Sequence, residues 1–223
     1  MVYDEFPKPS VTADIVIFTI IDRKLNVLLI KRGLEPSKGK WALPGGFVHI
    51  KESIYDAAKR ELEEETGVKD VYLEQLYTFG NPNRDSRGRV ITVAHYALIN
   101  LEKQKQHLHA DADSQDAKWF SINNLPQLAF DHRKILDYAL KRLKWKFEYS
   151  TIGFSMLSSK FTMSELQEVY EIVFDREFDK RNFRKKVLSL EILKDEEIKK
   201  DVSHRPPQMY SLKKDVPEVV EIV

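Results

Sequence analysis

Three glutamates, Glu61, Glu64 and Glu65, fall within the short stretch AAKRELEEETG, where the apolar spacing predicts a helix from Ser53 to Thr66 closed by Gly67. With Glu61 at zero and about 100° per residue, Glu64 and Glu65 lie at about −60° and +40°. All three share the arc that carries Ile54, Ala57 and Ala58 one to two turns earlier. Glu63 points the other way. The face that should be buried is therefore apolar at its start and acidic at its end. This arrangement opposes itself. Glu61 and Glu65 are a like-charge i,i+4 pair, and all three carboxylates crowd a helix C-terminus, where the macrodipole favours cations. A positive partner is required. Arg60 sits about 100° away on the wheel, so a hard divalent cation, Mg²⁺ or Mn²⁺, is the better candidate.

Several elements must position this helix. The β-branched run VTADIVIFTII, Val11 to Ile21, predicts a strand, with a turn at Asp22-Arg23-Lys24 and a second strand from Asn26 to Lys31. Pro44-Gly45-Gly46 breaks the chain just before the helix. Strands at Val71–Tyr77 and Val90–Leu98 flank the polar loop NPNRDSRGR, and Asp131 opens a helix with Ile135, Ala139, Leu140 and Leu143 on one face. The segment YSTIGFSMLSSK reads as a linker or connecting strand, which places a domain boundary between residues 148 and 149. Beyond it, Thr162-x-x-Glu165 is a capping-box pattern opening a helix through Phe174. After a short turn, Asp179 caps a second helix to about Leu193. Ile192–Ile198 and Gln208–Leu212 then suit a hairpin. Helix, turn, helix, hairpin is the order of a winged helix-turn-helix.

Composition excludes much else. In 223 residues, 42% hydrophobic and 11% aromatic content supplies a core, so the chain is not disordered. The absence of cysteine removes disulfides, thiolate metal sites and a cysteine nucleophile. A net charge of +1 means that any nucleic-acid surface must be local. No apolar run reaches the roughly 20 residues of a membrane span, and MVYDEFPKPS is not a signal peptide, so the expected compartment is the cytoplasm.

Gly46, Glu52, Arg60-Glu61-Leu62, Glu64-Glu65 and Gly67-Val68 fill every position of the pattern GX5EX7REUXEEXGU, and the segment resembles the Nudix family. The resemblance implies an α/β fold, a Nudix α/β/α sandwich with a mixed sheet, over residues 1–148. It implies that Glu61, Glu64 and Glu65 bind metal, with Glu52 behind them or sharing a metal. Arg60 would orient a glutamate, and the Gly45-Gly46 backbone would approach the ion. The implied reaction is hydrolysis of a nucleoside diphosphate linked to another group. There the metal neutralises the diphosphate and activates water, and a further carboxylate takes the proton. Asp113 and Asp116, in HADADSQDAKW, are candidates for that base, with a solvated acidic turn as the alternative.

FGNPNRDSRGRVITVAHYAL is similar to a stretch of the Nudix branch that holds ADP-ribose pyrophosphatases and ADP-ribose-sensing regulators, with Ser86 in place of the usual proline. Arg84, Arg87 and Arg89 suit forked contacts to phosphate oxygens, with a solvated hairpin tip as the alternative, and Phe79 or Tyr77 is a candidate to stack on a base, with a place in the core as the alternative. In the second domain, residues 149–223, the helix from Asp179 carries Lys180, Arg181, Asn182, Arg184 and Lys185. That is the side-chain chemistry of a recognition helix in a DNA major groove. Lys199, Lys200, His204 and Arg205 would set a wing over the backbone or the minor groove. A solvated basic helix is the plain alternative. FTMSELQEVYEIVFDREFDKRNFRKKVLSLEIL and HRPPQMYSL resemble the winged helix of Nudix-related transcriptional regulators. The resemblance implies a homodimer on palindromic double-stranded DNA, controlled by ADP-ribose or another small ligand such as a sugar, often at NAD-precursor or pentose genes. The alternative is an ADP-ribose pyrophosphatase whose second domain serves dimerisation. Many such regulators have eroded box glutamates; here the box is whole, which keeps hydrolysis open.

Overall fold

A computed structural model describes residues 6–67, 69, 71–101, 117–197, 207–217 and 219–223. Asp113, Asp116, Lys199, Lys200, His204 and Arg205 lie outside the described residues. The chain forms two compact units, the first from residues among 1–18, 26–98 and 104–139, the second from residues among 19–25, 99–103 and 140–223.

The first unit is built on a seven-stranded mixed sheet. Its strands are β1 (Ser10–Ile21), β2 (Lys24–Lys31), β3 (Trp41–Ala42), β4 (Gly45–Phe47), β5 (Tyr72–Phe79), β6 (Val90–Leu98) and β7 (Ala117–Ser121). The order is β3-β2-β1-β6-β5, with β4 pairing β1 and β7 pairing β2. β1 and β6 run parallel, Ile15 opposite His95, while β5 is antiparallel to β6. β1 is buried on both faces for eight consecutive residues, which is why it reads as a continuous apolar run. Asp14 stands inside that run, and it is buried too.

Helix α1 (Ile54–Thr66) starts at Ser53, whose side chain accepts the Asp56 N–H, and stops at Gly67, whose φ of 69° only glycine adopts without cost. It packs against β4. Helix α2 spans His132–Tyr149, and Ile135, Leu136, Ala139, Leu143 and Phe147 along it are buried.

The second unit corrects two expectations. Thr151–Met156 is a 3-10 helix rather than a linker or strand, with Ile152, Gly153, Phe154 and Met156 buried. Ser150 caps it, and the Phe154 and Phe161 rings meet at 5.5 Å. Its apolar residues have a core to fill, which a linker would not. Helix α3 (Met163–Phe174) has the capping box in full: the Thr162 side chain accepts the Glu165 N–H while the Glu165 carboxylate accepts the Thr162 N–H. Helix α4 (Lys180–Ser189) is capped by Asp179 and ends near Leu190, shorter than the expected run to Leu193. Glu191 takes a φ of 55° and turns the chain into β9 (Leu193–Glu196). β8 (Phe161–Thr162), β10 (Met209–Leu212) and β9 form a three-stranded antiparallel sheet in that order. Helix, helix and sheet thus give a winged-helix unit. Among the described residues no helix is long and apolar enough to cross a membrane.

Candidate functional site

The carboxylates of α1 meet the loop of β4 through glycine. A Cβ on Gly46 would fall onto the Glu61 carboxylate, so only a residue without a side chain lets that carboxylate lie against the strand. Glu61 is buried, Glu65 is partly buried and Glu64 is exposed. The positive partner the sequence demanded is in part Arg60. Its Nη1 donates to Glu61 Oε1 at 2.7 Å and to Glu64 Oε2 at 3.0 Å, and its Nε and Nη2 donate to both Glu52 oxygens at 3.1 and 2.8 Å. The wheel angle understated the reach of this side chain, which is long enough to fold back along the helix. Arg60 holds the Glu52 carboxyl down to about 2, with the His49 N–H adding to the effect.

Glu65 is different. Burial, then the charges of Glu61 and Glu64, push its carboxyl up to about 7, and its buried Oε2 has no hydrogen-bond partner. Burial raises Glu61 as well. An orphaned carboxylate oxygen beside two more carboxylates is a donor set of hard oxygens, which fits Mg²⁺ or Mn²⁺. Among the described residues no three such side chains are already gathered as ligands; Arg60 stands where a cation between Glu61 and Glu64 would act.

Glu64 and Glu65, with Gly45 and Gly46, line one side of a cavity of about 610 Å³, a volume suited to a nucleotide-sized ligand. Three arginines, Arg32, Arg84 and Arg87, also line it, together with Asp14 and Asp85. Arg84 is buried, with its guanidinium committed to Asp14 at 3.2 Å and Asp131 at 2.8 Å. Arg87 forks onto Asp85 at 2.6 Å while its guanidinium lies over the Phe47 and Phe130 rings. Arg89 donates to the Gly80 carbonyl, and Phe79 packs edge-on against Tyr77 and Tyr138; neither lines the cavity. Asp14, Arg32, Phe130 and His132 were not among the expected site residues, and Asp131 was expected only to open a helix. One signal was present, a carboxylate at Asp14 inside an otherwise apolar strand, which requires a buried cation to pair it. His132 Nδ1 accepts the Leu43 N–H at 2.8 Å, so it is neutral, and burial lowers its pKa.

In the second unit, Phe183 and Val187 are the buried residues of α4. Lys180, Arg181, Asn182, Arg184 and Lys185 are all exposed. Arg184 also reaches the wing, its Nη2 donating to Tyr210 Oη at 2.9 Å. The wing is pinned by Glu196, paired with Lys160 at 3.0 Å and hydrogen-bonded to Ser211 at 2.9 Å.

The fold and site thus define an α/β domain with a carboxylate-bearing helix beside a cavity, followed in the same chain by a winged helix. Comparison with known proteins agrees. The NUDIX domain family matches residues 11–139, and the NrtR DNA-binding winged helix domain matches residues 153–212. The chain belongs to the Nudix family, in the branch that carries this winged helix. It is 35% identical to the ADPR responsive transcriptional repressor NtrR of Acinetobacter baylyi, over 92% of this chain and 83% of that one. It is 40% identical to the ADP-ribose pyrophosphatase of Methanocaldococcus jannaschii, over 65% and 79%. The crystal structure of Shewanella oneidensis NrtR complexed with a 27mer DNA superposes with a TM-score of 0.80 at 36% identity, covering 95% of this chain and 99% of that one. The NUDIX domain of the same protein complexed with ADP ribose gives 0.56 at 38% identity, covering 63% and 92%.

Proposed function

We propose that this chain is an ADP-ribose-responsive transcriptional repressor of the cytoplasm, acting as a homodimer on an operator in double-stranded DNA. Residues 1–148 bind the ligand and residues 149–223 bind DNA. The observation that carries the reading is the presence in one chain of a cavity lined by both arginines and glutamates and an exposed basic helix on a capped winged-helix unit. Arg181, Asn182 and Lys185 take the groove and the flanking phosphates, and His204 and Arg205 are further candidates for DNA contact. Likeness over nearly the whole chain to regulators that bind DNA and ADP-ribose supports it. The test is binding of fluorescent DNA from upstream of its own gene, titrated with NaCl and with ADP-ribose. Sequence-dependent, salt-sensitive binding that ADP-ribose alters is expected; equal binding to unrelated DNA would overturn the reading.

A second activity, slow hydrolysis of ADP-ribose, is favoured by the unpartnered Glu65 oxygen and the complete carboxylate set. Glu61, Glu64, Glu65 and the Gly46 backbone would hold the ion, with Arg60 and Glu52 orienting Glu61 and Glu64 and with Asp113 as candidate base. A bound divalent ion supplies charge neutralisation and a more acidic water. AMP formation at millimolar Mg²⁺, lost in Glu64→Gln while operator binding persists, is the expected result. No AMP from the unaltered protein would leave sensing as the cavity's role.

A further inference from the structure

Helix α4 is fixed in place from more than one side. Phe183 and Val187 bury its inner face. Its start is clipped to α3: Glu171 Oε1 accepts the Phe178 N–H at 3.0 Å, and Gln167 Nε2 donates to the Phe178 carbonyl at 2.9 Å. Asp179 then caps the first turn by accepting the Asn182 N–H at 2.8 Å. On the side of the wing, Arg184 Nη2 donates to Tyr210 Oη at 2.9 Å.

The polar and basic residues of α4 are therefore not equivalent. With Phe183 at zero and about 100° per residue, Val187 falls at about 40°, so the outward direction is about −160°. Lys185 lies on that direction, Arg181 about 40° from it and Asn182 about 60°, whereas Arg184 lies about 100° away, on the flank. The side chains of Arg181, Asn182 and Lys185 are exposed and make no hydrogen bond or ion pair among the described residues. Arg184 is already engaged, and its acceptor is no rim residue. Tyr210 is 3% exposed and stands on β10, the central strand of the wing sheet, with Phe161 opposite it on β8 and Asp195 on β9. The Arg184 guanidinium carbon is also 5.9 Å from the Tyr210 ring centroid, within cation–π range. A hydrogen bond from the middle of a helix to the central strand of a sheet constrains the angle between them, because such a bond weakens steeply once its geometry is lost.

We propose that Arg184 is a positioning residue rather than a reader of DNA: through Tyr210 it sets the angle between α4 and the wing sheet, so that both meet one duplex together. The proposal rests on the reading that this unit binds DNA, and adds which of its basic residues stays with the protein. Arg181, Asn182 and Lys185 make the contacts, and Arg184 keeps them aligned with the wing.

The experiment measures binding of the full chain to DNA from upstream of its own gene, titrated with NaCl, together with amide hydrogen exchange of the unbound chain. Arg184→Met should weaken operator binding about three- to tenfold, the size of one hydrogen bond. The slope of log affinity against log salt should stay where it was, since no phosphate contact is lost. Tyr210→Phe, which keeps the ring and removes only the acceptor, should reproduce the loss, and the double variant should bind no more weakly than either single one. Arg184→Lys, which still offers a donor, should recover part of the affinity. In the unbound chain both single variants should quicken exchange of the Met209–Leu212 amides. A salt slope lowered by about 1 in Arg184→Met, or unchanged operator binding in Tyr210→Phe, overturns the proposal while the DNA reading stands. If the unaltered chain does not prefer the operator, the DNA reading fails; the link from α4 to the wing then survives if exchange quickens in both variants and falls if it does not.

Discussion

The basic residues of the two units live under opposite physical regimes. In the first unit Arg84 is buried between Asp14 and Asp131, Arg87 is forked onto Asp85, and Arg60 serves three glutamates. On α4, Lys180, Arg181 and Lys185 are exposed and have no ion pair among the described residues. The first regime builds a shape: charge is neutralised internally and what remains, Arg32 and the orphan oxygen of Glu65, is aimed at a cavity. The second builds a field: charge is left in water, where it weakens with salt and attracts a polyanion at range. A sensor of a small molecule and a reader of DNA call for these two solutions respectively.

The largest effect that would break or uphold this contrast is on Arg84. Replacing it by Met strands the buried Asp14 and the partly buried Asp131, and the cost should be about 3–5 kcal/mol of stability by denaturant titration. Adding Asp14→Asn and Asp131→Asn to the same chain should recover much of the loss. Arg181→Ala should leave stability within about 0.5 kcal/mol. If the Arg84 variant is as stable as the Arg181 variant, the buried network is not structural and the contrast falls.

Next in size is DNA affinity. Asn182→Ala should weaken binding to the operator by about 1–3 kcal/mol and relax sequence preference, if it reads a base. Lys185→Ala should instead weaken binding to all sequences and lower the slope of log affinity against log salt by about 1, the signature of one lost phosphate contact. The Arg84 variant, at temperatures where it remains folded, should leave that slope unchanged.

How legible these regimes were in the sequence follows from the same contrast. Features set by local chemistry could be read: the Ser53 and Thr162 caps, the Gly67 stop, the acidic arc of α1 and the apolar spacing of α4 all depend on neighbours within one helical turn. Gly46 was legible through a spacing pattern, though its physical reason, room for Glu61, needed coordinates. Arg84 was read as a phosphate contact because a loop full of arginines looks exposed; its partners are 70 and 47 residues away in sequence, and no local pattern announces such pairs. Phe130 gave no signal at all, since the neighbours that fix its backbone, Ala129, Asp131 and His132, are bonded to Trp41, Arg84 and Leu43, all far away in sequence. The 3-10 helix at Thr151–Met156 was missed for a related reason: its isolated apolar residues have no period of their own and are buried by tertiary partners.

Acid stability sharpens the comparison further. His95 and His132 are buried in the first unit, and burial lowers the pKa of both; among the described residues the second unit contains no histidine. An unfolded imidazole takes its proton near 6.5, the folded one only at lower pH. Stability is therefore fully present above about 6.5 and is lost as pH falls toward the folded value, by at most about 1.4 kcal/mol per pH unit for each histidine. Between pH 7 and pH 5 the raised Glu65 carboxyl works the other way, since protonating it stabilises the folded chain, so the histidine contribution is read as a difference between thermal melts: the His132→Gln variant should lose less stability, or gain more, than the unaltered chain as pH falls from 7 to 5. A melt equally acid-sensitive in both variants would assign the effect to other groups.

The smallest effect compares the caps of the two units. Thr162 and Glu165 satisfy each other's backbone N–H groups, so Thr162→Ala removes one bond and loosens the other. Ser53 accepts the Asp56 N–H and donates to the Asp56 carboxylate; in Ser53→Ala that carboxylate still sits in the first turn, where the macrodipole favours it. Thr162→Ala should cost about 1 kcal/mol, and Ser53→Ala should cost less, by denaturant titration of each variant. The order matters more than the size. α3 packs against α4, the helix proposed to read DNA, and carries Leu166, Val169, Tyr170 and Val173 into the core, so weakening its cap should lower operator affinity slightly as well. Ser53→Ala sits in the ligand unit and should leave operator affinity, measured without ligand, where it was.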